Sequence, residues 1–258
     1  MNRIHKLFKE KHKNILSVYF TAGYPHFDDT PIIIKELEKQ GVDMAEIGIP
    51  FSDPMADGPV IQQSGTVALN GGMSLKKLFS QLEKIRDEAN IPLIMMGYLN
   101  SIIQFGIEKF CMECNKTGID GVIIPDLPFD DYIKNFKSLG KQYGLEFIML
   151  ITPETSEERI RLIDENTSGF IYMVSTASTT GAKDSFDEKT LNYFKRIDNM
   201  NLKNPHLTGF GISNKTTLDA SFANSGGAII GSEFIRLLGS EQSVEAAVTK
   251  LMQKTGML

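Results

Sequence analysis

The chain has 258 residues, 41% of them hydrophobic and 23% charged, a composition that supports a sizeable packed core. Its formal net charge of −5 argues against a nucleic-acid backbone as the main partner. No apolar run approaches the ~18 residues of a membrane-spanning helix, and two cysteines, Cys111 and Cys114, cannot build a disulfide framework.

At the N-terminus, Arg3, Lys6, Lys9, Lys11 and Lys13 precede a short apolar piece, residues 15–20. That piece is too short for a secretory signal and no small-residue cleavage pattern follows it. We expect an amphipathic helix leading into a strand, in a cytoplasmic protein. From there, β-branched runs alternate with helical periodicity to the end of the chain. Residues 15–21, 43–48, 92–97, 120–125, 145–151, 168–174, 206–210 and 226–231 read as strands. Most are continuously apolar, as strands covered by helices on their outer face should be.

The intervening segments read as helices. In 74–89 the apolar residues Leu75, Leu78, Phe79, Leu82, Ile85 and Ala89 fall on one helical stripe. Segments 28–40, 106–117, 129–143, 156–165, 187–199, 214–224 and 243–254 fill the other slots, several of them opening on Ser, Asp or Asn. Eight strand–helix units of about 32 residues fit a single (β/α)8 TIM-barrel domain over 1–258, with an extra N-terminal helix. An open doubly wound sheet remains the alternative, because periodicity does not show closure. No linker or low-complexity tract divides the chain.

In a barrel, chemistry sits where strands end and βα loops begin. Glu46 lies inside an otherwise apolar strand. There it either faces the catalytic mouth, where burial suits a proton-shuttling acid, or it is a structural acid bonded to a backbone group or an arginine. The following loop holds Asp53 and Asp57 among Pro50, Pro54, Gly58 and Pro59. Turn chemistry alone accounts for an Asp in such a loop; Glu46 and Asp57 together, on one strand and its loop, point to an acid–base pair. Glycines close strands seven and eight, in Gly209-Phe-Gly-Ile-Ser and in Gly231-Ser232 ahead of a short helical piece over 233–238. Those are the two strand ends where barrels recurrently bind phosphate, and Thr180-Gly181 after strand six could add a third wall. No strand carries a lysine for a Schiff base, and the four histidines are scattered, which disfavours a zinc aldolase. Cys111 and Cys114 fall within a helix and read as packed thiols.

The motifs Glu46-Ile-Gly-Ile-Pro-Phe-Ser-Asp-Pro-Met-Ala-Asp-Gly-Pro, Phe20-Thr-Ala-Gly-Tyr-Pro, Gly121-Val-Ile-Ile-Pro-Asp-Leu-Pro, Thr180-Gly-Ala and Gly209-Phe-Gly-Ile-Ser resemble those of tryptophan synthase α subunits over nearly the whole length. The resemblance implies retro-aldol cleavage of indole-3-glycerol phosphate to indole and glyceraldehyde 3-phosphate. It implies Glu46 as principal acid/base and Asp57 as the group that holds the indole N–H. Tyr172 then has a supporting role, and Thr180, Gly181, Phe210, Gly211, Gly231 and Ser232 match substrate- and phosphate-binding positions. No metal or cofactor is implied on this chain. Pyridoxal phosphate is expected only on a partner β subunit, met through the loop of Pro50 and Asp53 in an αββα complex. One departure stands out: Thr176 and Ser178 occupy positions where many relatives carry a basic residue and a glycine. Two other readings compete, a different phosphate-binding barrel such as a sugar-phosphate isomerase, and a non-catalytic activator of a β subunit.

Overall fold

The strand segments form the staves of a closed, all-parallel barrel in the computed structural model of the chain, which describes residues 1–175, 186–209 and 211–258. The strands are β1 (Ile15–Thr21), β2 (Met44–Gly48), β3 (Leu93–Met96), β4 (Gly121–Ile123), β5 (Glu146–Ile151), β6 (Ile171–Val174), β7 (His206–Gly209) and β8 (Gly227–Ile230). They pair in sequence order, and β8 pairs back onto β1 with Gly227 opposite Ile15 and Ile230 opposite Val18. That last ladder decides for the closed barrel over the open sheet.

The helices in chain order are α1 (Arg3–Glu10), α2 (Asp29–Lys39), α3 (Pro59–Asn70), α4 (Leu75–Leu82), α5 (Leu99–Phe105), α6 (Ile107–Lys116), α7 (Phe129–Asp131), α8 (Lys137–Tyr143), α9 (Glu157–Asn166), α10 (Glu188–Asn199), α11 (Lys215–Asn224), α12 (Ser232–Ser240) and α13 (Val244–Thr255). The capping residues do what their chemistry allows. Ser74, Ser156, Asp187 and Ser243 each accept a hydrogen bond from a first-turn N–H, and Asn214 forms a reciprocal box with Thr217. No helix of the described residues is long and apolar enough to cross a membrane.

Three helical expectations are corrected. The stripe over 74–89 is one helix only to Leu82; Ile85–Asp87 is a tight 3-10 turn. The break directs Arg86 to the carbonyls of Gly118, Ala89 and Ile91 and to Asp120, bonds that a continuing helix would not offer. The segment 129–143 contains a π-helical turn, Tyr132–Phe136, between α7 and α8. Helices α3 and α5 have no counterpart in the sequence reading. The first starts on Pro59 in the motif-bearing loop, and the second is a seven-residue helix ended by Gly106 at φ 98°.

Strand side chains alternate between two cores. Leu16, Val18 and Phe20 of β1 join Ile33, Leu37, Phe79 and Leu82 in the layer between barrel and helices. Ile15, Met44, Ile94, Ile123, Ile148, Leu207 and Ile229 meet inside the barrel. Because both faces of each strand are buried, the strands read as continuous apolar runs. Helix α1 stops the N-terminal end: Ile4 is buried in the interior cluster, Leu7 packs on it, and the Phe8 ring lies 6.0 Å from Phe170. Asp120 holds this end together, accepting from Arg3 at 3.2 Å, Arg86 at 2.6 Å and the Leu93 N–H at 3.0 Å. With that end filled, the ends of the strands opposite α1 remain for a ligand.

Candidate active site

Glu46 is the middle residue of β2, on the inward face between Met44 and Gly48, and is fully buried. Ser17 of β1 donates its hydroxyl to Glu46 Oε1 at 2.8 Å. Oε2 is buried without a hydrogen-bond partner among the described residues. Burial disfavours the charged form and raises the Glu46 carboxyl from its ordinary 4.5 to about 7, while the Ser17 bond holds it back. Among the described residues no arginine or backbone donor bonds this acid.

Asp57 sits in the loop between β2 and α3. The loop is stiffened by its own bonds: the Asp57 N–H donates to the Pro54 carbonyl at 3.1 Å, and Gln62 donates to the Asp57 carbonyl at 2.9 Å. The Tyr98 hydroxyl donates to Asp57 Oδ2 at 2.9 Å and accepts from the Ala56 N–H at 3.0 Å. The Tyr98 ring stacks on Phe51, centroids 5.1 Å apart. Burial raises the Asp57 carboxyl, and the Tyr98 bond pulls it back down.

Two phenols tie these acids into one site. Burial raises both Tyr19 and Tyr172, and the negative charges of Glu46 and Asp57 reach and raise both further. Glycines make room for them. A Cβ on Gly48 would collide with the Tyr19 hydroxyl, and one on Gly209 with the Tyr172 hydroxyl. Glu46, Asp57 and Tyr172, named from sequence, are thus brought to one end of the barrel.

Of the glycines expected to hold an anion, Gly231 lies beside Tyr19. Gly231 caps α12, and a Cβ there would stand 3.4 Å from the Tyr19 ring. Ser232 is the first residue of α12, whose N-terminus has no side-chain cap. Its first-turn acid, Glu233, is taken up by Arg236 and Lys254. Gly211 adopts φ 75°, left-handed backbone that favours glycine, within 4 Å of Ser175 Oγ from where its Cβ would be. Thr180, Gly181 and Phe210, with Thr176 and Ser178, lie outside the described residues.

The sequence matches the family described as tryptophan synthase alpha chain over residues 5–258. The chain belongs to the tryptophan synthase alpha chain family. It is 60% identical to the tryptophan synthase alpha chain of Parabacteroides distasonis, covering 98% of each chain, and 58% identical to that of Phocaeicola vulgatus with the same coverage. The solved tryptophan synthase subunit alpha of Legionella pneumophila superposes with TM-score 0.88 at 30% identity, over 100% of both chains. The family is one of lyases in tryptophan biosynthesis, and its members pair with a β subunit.

Within this alpha-chain frame, the two residues expected at a partner interface separate. Asp53 is exposed, while Pro50 is buried within its own chain and fixes the course of the loop rather than offering a surface. Three side chains that contact or adjoin these acids escaped the sequence reading: Ser17, Tyr19 and Tyr98. For Ser17 a signal existed, since it is a polar residue inside an apolar strand, the same anomaly that marked Glu46. Tyr98 carried no such signal; only the fold brings it to Asp57.

Proposed function

We propose that the chain cleaves indole-3-glycerol phosphate to indole and glyceraldehyde 3-phosphate by carboxylate acid/base catalysis, without a cofactor of its own. The observation that carries this reading is a neutral-prone Glu46 with one unengaged carboxyl oxygen, beside an Asp57 that faces the same two tyrosines. The C–C bond cannot break until indole C3 can take the electron pair as a leaving carbon. Neutral Glu46 gives its proton to C3, and the positive charge that develops on the ring is stabilised by ionised Asp57 at the indole N–H. The C3 to side-chain carbon bond then breaks, its electrons restoring the aromatic ring. The hydroxyl on that side-chain carbon becomes the aldehyde as its proton passes to the Glu46 carboxylate, which regenerates the starting acid. A carboxyl titrating near 7 is suited to both giving and taking a proton near neutrality.

The uncapped N-terminus of α12 with Gly231 and Ser232, together with Gly211, supports a phosphate seat next to Tyr19. Thr180, Gly181 and Phe210 complete that seat in this reading. Asp53 and the loop fixed by Pro50 meet a β subunit that carries pyridoxal phosphate and consumes the indole, in an αββα complex. An isomerase of sugar phosphates has no use for the Asp57–Tyr98 arrangement, and a pure activator has none for an unsaturated buried acid.

The test is indole release from indole-3-glycerol phosphate by purified protein, wild type beside Glu46→Gln, with and without a β subunit. Wild type should release indole slowly alone and faster with β. Glu46→Gln should lose at least about 100-fold while still binding β. No indole from any mixture would overturn the lyase reading, and an equal wild-type rate with and without β would remove the activation by the partner.

A further inference from the structure

Ser17 has no use in the barrel interior except at Glu46. It is fully buried, sits on the inner face of β1, and its one side-chain hydrogen bond among the described residues goes to Glu46 Oε1 at 2.8 Å. In the β1–β2 ladder Ser17 stands opposite Met44 and Tyr19 opposite Glu46, so the serine is two residues nearer the α1 end than the acid it touches. The contact therefore engages the carboxyl from below, from the side opposite the loop that carries Asp57.

We propose that Ser17 is a positioning residue for Glu46: its hydroxyl occupies Oε1, which leaves Oε2 as the oxygen that exchanges protons with the substrate. This rests on the reading of Glu46 as the acid/base of the lyase. The chemistry follows from the donor and acceptor roles. A neutral carboxyl has one carbonyl oxygen and one hydroxyl oxygen, and a serine O–H is best accepted by the former. Donation to Oε1 therefore places the carboxyl proton on Oε2, which has no hydrogen-bond partner among the described residues. After that proton has left, the same donor stabilises the carboxylate, and hydrogen bonds to charged groups are the stronger kind. Ser17 thus both selects the reacting oxygen and limits how far burial raises the acid. Among the described residues, the other titratable groups at this corner are Tyr19 from β1, Tyr172 from β6, Asp57 from the loop after β2 and Tyr98 at the start of α5. All three phenols are raised by burial, so around neutral pH the changes in charge belong to the carboxyls.

The experiment compares wild type, Ser17→Ala and Ser17→Cys, the last a residue of similar size with a weaker donor. Carboxyl-carbon NMR of protein labelled at glutamate follows the Glu46 titration without substrate, with Glu46→Gln assigning the signal. The pH profile of kcat/KM for indole release is measured in parallel. In Ser17→Ala the Glu46 inflection should rise by about one pH unit, and the alkaline limb of kcat/KM should follow, so that the ratio of rates at pH 8 and pH 6.5 rises about fourfold. Ser17→Cys should shift part of the way. A Glu46 inflection unmoved in both variants, with kcat lowered equally at every pH or only the melting temperature reduced, would make Ser17 a packing residue and overturn the proposal. A shifted inflection in a protein that makes no indole would support the Ser17–Glu46 coupling while removing the lyase reading.

Discussion

Asp120 and Glu46 are both buried acids of one barrel, and they are treated in opposite ways. Asp120, at the end closed by α1, accepts from two arginines and from the Leu93 N–H, and both of its oxygens are engaged. Glu46, higher in the barrel, has a single hydroxyl donor and an empty-handed second oxygen. A saturated carboxylate holds elements together. An under-satisfied one is pushed toward the neutral form and becomes able to move a proton.

The widest separation should come from exchanging what each acid can do. Asp120→Ala leaves the half-buried Arg86, already lowered to about 10 by burial, without its main counter-charge. Removing one partner of such a pair costs roughly 3–5 kcal/mol, to be read from urea unfolding, with turnover per folded molecule near wild type. Glu46→Gln should show the reverse, intact stability and lost turnover. A variant pair that lost both properties together would dissolve the distinction.

A smaller effect should appear at Tyr98, whose hydroxyl bonds Asp57. Tyr98→Phe removes the donor to Asp57 Oδ2 and the acceptor for the Ala56 N–H while keeping the ring on Phe51. Loss of about tenfold in kcat/KM is expected, corresponding to one hydrogen bond to a charged group, with little change in melting temperature. An unchanged kcat/KM would mean that the loop holds Asp57 without the phenol.

The smallest and most diagnostic effect is on stability against pH. Unfolded Glu46 ionises near 4.5, and the folded carboxyl near 7. Between these values the folded state holds a proton that the unfolded state has released, so Glu46 withdraws stability as pH rises through that window. Glu46→Gln has nothing to ionise. Its melting temperature minus that of wild type should therefore grow from pH 5 to pH 8, by several degrees for a chain of this size. A difference constant across that range would show that Glu46 is not held neutral.

Much of the fold was legible because each strand is a short apolar run and several helices open on a capping side chain, as at Ser74, Ser156, Asp187, Asn214 and Ser243. All eight strands fall within the segments read from sequence, with ends displaced by a few residues. Helix α3 was hidden in a loop rich in proline and glycine, where local signals for turns outweigh a weak apolar stripe. The break after Leu82 was invisible because its cause, the set of acceptors around Arg86, comes from the segments that lead into β3 and β4. At the site, Glu46 stood out as an acid inside an apolar strand, and Asp57 only through its place on the loop that follows it. Ser17 is half of the same anomaly, yet a serine in a strand attracts no notice until its neighbour is known.

What the sequence by itself determined was the order of elements, the apolar faces, and the presence of an acid where a strand should carry none. Those follow from local periodicity and from the cost of burying charge. Only the tertiary structure decided closure, since β8 meets β1 across nearly the full length of the chain. It also decided the company each acid keeps: arginines for Asp120, one serine for Glu46, one phenol for Asp57. Burial and hydrogen bonding set how readily an acid ionises, and both depend on which distant strands and loops the barrel brings alongside it.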